Sequence, residues 1–269
     1  MECFVRIHSD LSLEDYLKMA GSVPIPPYFH RQAEPSDKEA YNNVYASQGG
    51  SVAAPTAGLH FTPALLAEIG ADNCSYLSLH VGAGTFKPVL AADARDHSMH
   101  AETFSVGVGE IRRIIAAMEA GKPLVVVGTT SSRTLESLFW CGVKRIRGLD
   151  GNSSNLELGQ FEWVPLAVGE SKNVSAVNAF KALISDEMKD TDVLSGRTSL
   201  MITPGTYDFK VVNHLITNFH APDSTLMLLV SAFLKSGNKV KRTYEDAQKK
   251  GFRFLSYGDV CMFSRPGSK

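Results

Sequence analysis

Apolar residues recur at helical spacing in the segment that follows position 108. Four of them fall at offsets of 0, 3, 4 and 7: Ile111, Ile114, Ile115 and Met118. This spacing places the apolar side chains on one face, so it predicts an amphipathic helix that ends at Gly121. The next apolar run, 124–127, shows no alternation and is typical of a strand buried on both faces of a parallel sheet.

Short apolar strands and helices alternate along the rest of the chain. After Gly128 the pattern predicts a helix that ends near Trp140. Further predicted elements are strands at 75–81, 199–203 and 209–216, helices at 177–188, 224–234 and 238–250, and a strand pair within 252–264. Such alternation favours an α/β fold with a mixed, largely parallel sheet and flanking helices.

Changes in proline content and in hydrophobic periodicity divide the chain into segments. Residues 1–22 contain one short helix capped by Ser12, and the proline-rich stretch 23–52 predicts an extended linker. Residues 53–269 form the α/β unit, and periodicity is lost at 148–170, which predicts an insertion between core elements.

Composition excludes several classes of protein. Of 269 residues, 44% are hydrophobic and 20% charged, which is average for a globular protein and excludes long disorder. The net charge of −1 excludes a molecule that is basic over its whole surface and binds nucleic acid in that way. A local basic patch is compatible with this charge.

Location and redox state follow from the apolar runs and the cysteines. The run 226–234 is far shorter than the roughly 20 residues of a membrane span, and the first ten residues lack the apolar core of a signal peptide. The four cysteines are widely separated, which predicts reduced thiols in a cytoplasmic protein without a cysteine metal site.

Two glycine- and hydroxyl-rich turns are candidates for ligand binding. Gly82, Gly84 and Thr85 follow a predicted strand, but no third glycine completes a dinucleotide-binding fingerprint. Thr129 and Thr130 stand at a predicted helix start, where hydroxyl and N–H groups suit a carboxylate or phosphate oxygen. A tight turn in the first case and plain N-capping in the second are the alternatives.

Histidines supply the other candidate chemistry. His97, His100 and Glu102 lie within six residues, and on an extended backbone His100 and Glu102 share one face, so the carboxylate would orient the imidazole for acid–base work. His60 and His220 are expected at the same site, because each flanks a strand end. A metal held by His97, His100 and Glu102 is the alternative, although the zincin spacing is absent.

Seven blocks of sequence occur in a recognisable order: PPYFHR, SVAAPTAGLHFT, LHVGAGTF, DHSMHAE, VGTTSSRTLES, LITNFHAPDSTLMLLVSAF and FRFLSYGD. Together they resemble the S-adenosylmethionine:tRNA ribosyltransferase-isomerase family of queuosine biosynthesis. They run from about residue 23 to 262, and the stretch 141–197 matches loosely, as an insertion would. PGTYDF has one residue more than the family's pattern, and Asn213 stands where aspartate is usual.

The resemblance implies a fold, a reaction and a set of partners. The family moves the ribosyl group of S-adenosylmethionine, a co-substrate rather than a bound cofactor, onto a 7-aminomethyl-7-deazaguanine at the tRNA wobble position. Adenine and methionine leave, and epoxyqueuosine forms. Binding of S-adenosylmethionine would then fall to His60, Gly82, Gly84, Thr85, Thr129, Thr130 and His220, and acid–base catalysis to His97, His100 and Glu102.

The resemblance also implies that part of the family's chain is missing. Residues 1–22 resemble the tail of the family's inserted β-barrel domain, so we expect a truncated relative. The family implies a monomer, whereas unpaired strand edges left by truncation would favour self-association. The alternatives are a non-catalytic homologue that keeps the fold or ligand binding and, from the histidines, a metal-dependent hydrolase.

Basic residues near the end of the chain are candidates for phosphate contacts. They are Lys235, Lys239, Lys241, Arg242, Lys249, Lys250 and Arg253. Clustered lysine and arginine side chains bind nucleic-acid phosphates, but a solvated helix face would show the same pattern.

Overall fold

The computed structural model describes residues 8–47, 51–82, 93, 96–150, 155–169 and 173–265. The helices within these residues are α1 (Leu13–Ala20), α2 (Asp37–Ala40), α3 (Pro63–Ile69), α4 (Val108–Glu119), α5 (Thr129–Ile146), α6 (Trp163–Leu166), α7 (Ala176–Lys181), α8 (Thr225–Phe233) and α9 (Gly237–Lys249). No helix among them is both long and apolar enough to cross a membrane.

The strands form two sheets. They are β1 (Leu77–His80), β2 (Glu102–Gly107), β3 (Val125–Val127), β4 (Asn155–Leu158), β5 (Val193–Thr198), β6 (His214–Asn218) and β7 (Val260–Ser264). One sheet has the order β1-β2-β5-β4 and the other β3-β6-β7. Neither sheet closes into a barrel within the described part of the chain.

The mixed α/β class is confirmed, with a different balance of strand directions. The β3/β6 and β4/β5 pairs are parallel, whereas β1/β2, β2/β5 and β6/β7 are antiparallel. The central strands β2 and β5 alternate between buried and more exposed residues. That alternation of buried and exposed residues is typical of antiparallel strands with one solvated face. The succession of strands and helices along the sequence therefore predicted more parallel strand pairs than the described residues form.

Helix α5 is the centre of the core. Its residues 132–143 are all buried, and Leu138, Phe139 and Trp140 pack within one continuous apolar cluster. The helix crosses α7 so closely that a Cβ on Gly142 would lie 2.0 Å from the carbonyl oxygen of Ala179. Only glycine fits there, because any side chain would push the two helices apart.

Two predicted elements are corrected by side chains that hydrogen-bond to backbone groups. The helix predicted over 177–188 ends at Lys181, where arginines bind the following carbonyls: Arg145 donates to Leu183 O and Arg112 to Met188 O. The strand predicted over 209–216 begins only at His214. Its first N–H groups, those of 210–212, donate to the carboxylate of Glu136 instead of to a neighbouring strand.

Other helices and strands also differ from their predicted bounds. The strand predicted over 199–203 is absent, because β5 ends at Thr198 and the side chains of 200–202 are all buried in sequence rather than alternating. The predicted terminal strand pair is the single strand β7, preceded by a turn in which Leu255 has a φ of 69°. The helix after Gly128 runs past Trp140 to Ile146.

The segments outside the sheets are tied to the core. Within the predicted linker, Asp37 is 2% exposed and accepts hydrogen bonds from Arg31 (2.7 and 2.8 Å) and from the Tyr257 hydroxyl (2.8 Å). The hydroxyls of Tyr28 and Ser256 also hydrogen-bond. Strand β4, which lies in the stretch 148–170 predicted as an insertion, belongs to the four-stranded sheet. So does β5, most of which lies in the loosely matching stretch 141–197.

Candidate functional site

The carboxyl ends of the parallel strands β3 and β6 form one edge of the smaller sheet. Val127 pairs with Ile216, and the next residue, Gly128, donates its N–H to the Ile216 carbonyl at 2.8 Å. Gly128 has a φ of 89°, a conformation that favours glycine, and this sharp turn starts α5 at Thr129. Such an edge, where chains leave parallel strands, is the usual ligand site of α/β proteins.

The first turn of α5 lacks a side-chain cap. Gly128 occupies the N-cap position and has no side chain to accept a hydrogen bond, so Thr129 and Thr130 lie inside the helix rather than capping it. The Ser132 hydroxyl is fully buried and has no hydrogen-bond partner among the described residues. The N-capping alternative is therefore wrong for these threonines, and the helix start keeps N–H groups that favour an anion.

The end of β6 places a neutral histidine at this edge. The Thr217 hydroxyl and His220 Nε2 lie 2.7 Å apart, and the His220 N–H donates to the Tyr244 hydroxyl at 3.3 Å. Burial lowers the pKa of His220 to about 4, so the imidazole is uncharged at pH 7. His220 can therefore exchange hydrogen bonds with a ligand without adding charge.

A short 3₁₀ segment, Thr56–His60, packs against the same strand end. The Thr56 hydroxyl donates to Asn218 Oδ1 at 2.8 Å, while Asn218 Nδ2 donates to the Gly258 carbonyl at 3.4 Å. His60 Nε2 lies 3.0 Å from that same carbonyl. A carbonyl oxygen only accepts, so Nε2 carries the proton in this contact.

A buried ion pair connects the larger sheet to α5. Glu102, the first residue of β2, is 7% exposed, and its Oε2 lies 3.1 Å from Nη1 of Arg133 in the second turn of α5. Burial lowers the pKa of Arg133, and the carboxylate of Glu102 opposes that shift. Each buried charge therefore depends on the other.

The loop before β2 carries the predicted acid–base residues. Gln160 fixes this loop, because its amide donates to the His97 carbonyl at 2.5 Å and accepts from Met99 N–H at 3.0 Å. The His100 side chain is exposed, His97 is half-buried, and Glu102 is buried. The structure thus gives Glu102 a cationic partner that the sequence reasoning missed, and the acid–base role of the two histidines stays a prediction.

The glycine turn after β1 lies mostly outside the described residues. Gly82 is exposed and follows Val81, whose N–H donates to the Ser51 hydroxyl at 3.0 Å. Gly84 and Thr85 are outside the described residues, so the prediction that this turn shares the site stays a prediction. The described residues bring together the α5 start, the Thr56–His60 segment and the end of β6.

Two surface cavities of the described residues lie away from this cluster. Among the described residues, no group of three or more His, Cys, Asp or Glu side chains could hold a metal ion. A cavity of about 510 Å³ lies beside the start of α4, between Arg112, Arg113 and Asp190. Another, of about 290 Å³, lies beside β4 and Cys141.

Arg133 and Glu136 were missed, although the sequence carries a signal for both. They lie three residues apart in a helix whose other positions from 132 to 143 are mostly apolar or small. Charged residues inside such a helix cannot avoid burial, and buried charges need partners. Asn218 and Thr56 gave no comparable signal, because they bond to each other across 162 positions of the chain.

Comparisons with known proteins place the chain in one family. A sequence model described as "Queuosine biosynthesis protein" matches residues 2–263. Two relatives, from Legionella pneumophila (strain Lens) and Rhodospirillum rubrum, are named S-adenosylmethionine:tRNA ribosyltransferase-isomerase, and each is 40% identical over 250 residues, which is 92% of this chain. The chain spans 60% and 59% of their lengths.

A solved structure is also similar. It is an S-adenosylmethionine tRNA ribosyltransferase from Thermotoga maritima, 27% identical, with a TM-score of 0.47, and the match covers 77% of this chain and 50% of that one. The family assignment rests on the sequence matches. This chain belongs to the queuosine biosynthesis protein family.

Proposed function

We propose that this chain carries the site that transfers and isomerises the ribosyl group of S-adenosylmethionine onto 7-aminomethyl-7-deazaguanine in tRNA. The products would be epoxyqueuosine, adenine and methionine. The observation that carries the proposal is that three of the blocks shared with the family converge at the carboxyl ends of β3 and β6: Thr56–His60, Gly128–Arg133 and Asn218–His220. The relatives' name supplies the reaction.

The charges of this cluster suit a sulfonium co-substrate. His220 is neutral at pH 7, and the charge of Arg133 is balanced by Glu102, so none of these three groups adds an uncompensated positive charge that would repel a sulfonium. The uncapped N–H groups at the start of α5 favour a carboxylate, such as that of the methionyl group. His60, Thr129, Thr130 and His220 would hold S-adenosylmethionine, together with Gly82, Gly84 and Thr85.

The reaction needs one base and one acid. A base must remove a proton from the carbon beside the sulfonium, and an acid must protonate the departing adenine. We assign these steps to His97, His100 and Glu102 as a group. Glu102 is buried against Arg133, whereas the two histidines are more exposed and so more accessible to substrate.

Adenine release tests the proposal. The folded chain is incubated with S-adenosylmethionine and tRNA that carries the precursor base, and adenine is measured by chromatography. His100→Ala and Glu102→Gln should each lower the rate by roughly 10²- to 10⁴-fold, the usual loss for a general acid or base. The matched controls His8→Ala and Glu187→Gln change exposed residues outside the cluster and should keep the wild-type rate.

Two results would contradict the proposal. A chain that binds S-adenosylmethionine but releases no adenine would be the non-catalytic homologue. Loss of activity on adding a chelator would instead support a metal-dependent reaction.

A further inference from the structure

Positive charge concentrates on one helix and the turn after it. We call α9 together with residues 250–253 the α9 surface. Residues 237–253 hold six Lys or Arg and two acidic residues, a net charge of +4, in a chain whose total is −1. The rest of the chain therefore carries −5. A surface this different from the remainder of the molecule directs a polyanion to itself even though the whole chain is nearly neutral.

The basic side chains point away from the core. Val240, Tyr244 and Ala247 are the buried residues of α9, at offsets of 0, 4 and 7, so the opposite face is solvated. Lys239 and Arg242 are exposed and have no salt-bridge partner among the described residues. The pairs of α9 that do exist are long and exposed, at 4.0 Å for Lys241 with Glu245 and for Lys249 with Asp246, and so neutralise little charge.

The α9 surface is next to the candidate site, because residues of both α9 and the turn after it contact the end of β6. The buried Tyr244 hydroxyl accepts the hydrogen bond from His220 N–H, so one side chain separates the helix from the end of β6. Phe252 is 45% exposed, and its ring centroid lies 6.0 Å from that of Phe219, the neighbour of His220. An exposed aromatic ring beside the exposed Lys250 is the combination that stacks an unpaired base while a basic side chain contacts phosphates. Arg253, on the other side of the ring in sequence, is paired with Asp259 at 3.2 Å and adds less free charge.

We propose that the α9 surface docks the RNA substrate, with Lys239 and Arg242 on the phosphate backbone and Phe252 beneath an unpaired base. This inference rests on the proposed function, because it supplies the surface that brings the substrate base to the site. RNA is favoured over an anionic membrane because the apolar residues of α9 face the core, which leaves no apolar stripe on its outer face to enter lipid.

Charge reversal on α9 and elsewhere separates a docking surface from a general charge effect. Lys239→Glu/Arg242→Glu is compared with Lys122→Glu/Lys189→Glu, which changes the net charge equally at exposed sites outside the α9 surface. Binding of precursor-bearing tRNA to the full chain is measured from 50 to 200 mM salt. The α9 pair should weaken binding by about tenfold or more and lower the salt slope by roughly 1.4 to 1.8, the value for two lost phosphate contacts. The control pair should stay within about twofold of wild type.

The outcomes distinguish this surface from the proposed function. Equal weakening by both pairs, with wild-type binding intact, overturns the α9 surface alone. A wild-type chain that binds neither tRNA nor S-adenosylmethionine overturns the proposed function and the docking surface with it. Binding to phosphatidylserine vesicles that is lost in the α9 pair, with tRNA binding unchanged, would assign the surface to a membrane.

Discussion

The two ends of β6 are held by different kinds of polar contact. Before the strand begins, the Glu136 carboxylate accepts from the N–H groups of 210–212 and from the Tyr207 hydroxyl at 2.8 Å, and both Glu136 and Tyr207 are buried. At the other end, Asn218 and His220 bond with groups from three other segments, and His220 is partly exposed.

The contacts at the start of β6 hold the fold together, whereas the groups at its end are available to a ligand. Trp140 Nε1 donates to the Tyr207 hydroxyl at 2.9 Å, which completes a chain of bonds that ends at Glu136. Burial raises the pKa of Glu136, and these donors oppose the rise. The carboxylate is thus held by neutral donors and has no exposed face for a ligand, whereas the far end of the strand keeps groups that a ligand can reach.

The start of β6 should be the more sensitive end for stability. Glu136→Ala leaves two buried N–H groups, one half-buried N–H group and the Tyr207 hydroxyl without their acceptor, so we expect the free energy of unfolding to fall by about 4 kcal/mol. Urea unfolding measures this, with Glu187→Ala, at an exposed position, as the control. A loss below about 1 kcal/mol, the range of an ordinary surface change, would show that Glu136 does not hold this end.

The Arg133–Glu102 pair tests whether a buried charge near the site serves stability or function. Arg133→Met removes the cationic partner of the buried Glu102 carboxylate, which should cost about 3 kcal/mol. Arg133→Met/Glu102→Leu removes both charges and should recover most of that loss, because well-packed apolar residues often replace a buried pair without penalty.

Activity then decides the role of the pair. The double variant should be folded but should release adenine roughly 100-fold more slowly, since the carboxylate is gone. Wild-type adenine release by this folded variant would make the pair purely structural, as Glu136 is.

Acid should affect the site end of β6 through His220. Its pKa is lowered to about 4 in the folded chain, against 6.5 for a free imidazole, so between these values the unfolded chain binds a proton that the folded chain does not. Stability should therefore fall as the pH falls from 6.5 to 4, by about 2 kcal/mol for a partly exposed group.

The variant that isolates this effect is His220→Gln, which cannot titrate. Its free energy of unfolding should change less between pH 7 and 4 than that of wild type, while His8→Gln should keep the wild-type slope. Parallel slopes for all three proteins would rule out His220 as the acid-sensitive group.

The sequence predicted the elements whose burial follows a simple period. Helices α4, α8 and α9 lie within a residue or two of their predicted bounds, because each shows a clear apolar face or run and a capping residue. The start of β6 was misplaced because nothing local shows that 210–212 bond to a carboxylate more than 70 residues earlier. Side chains that replace ladder partners leave the apolar pattern unchanged.

For the site, the sequence predicted strand ends but not contacts between them. The expectation that polar residues after β3 and β6 meet follows from parallel strand geometry, and the described residues place Gly128 against Ile216. The contacts of Asn218 with Thr56 and Gly258 depend on how distant segments pack, which no local period encodes.

The anchoring of residues 28–37 has a consequence for how the molecule folds. The Tyr28–Ser256, Asp37–Tyr257 and His60–Gly258 contacts join residues 228, 220 and 198 positions apart. Closing loops of that length costs entropy before any contact is gained, so these contacts should form late. The contact of His60 with Gly258 at the site would then form only in the last stage of folding. Partly folded chains should therefore be unable to hold the substrate even when their sheets have already formed.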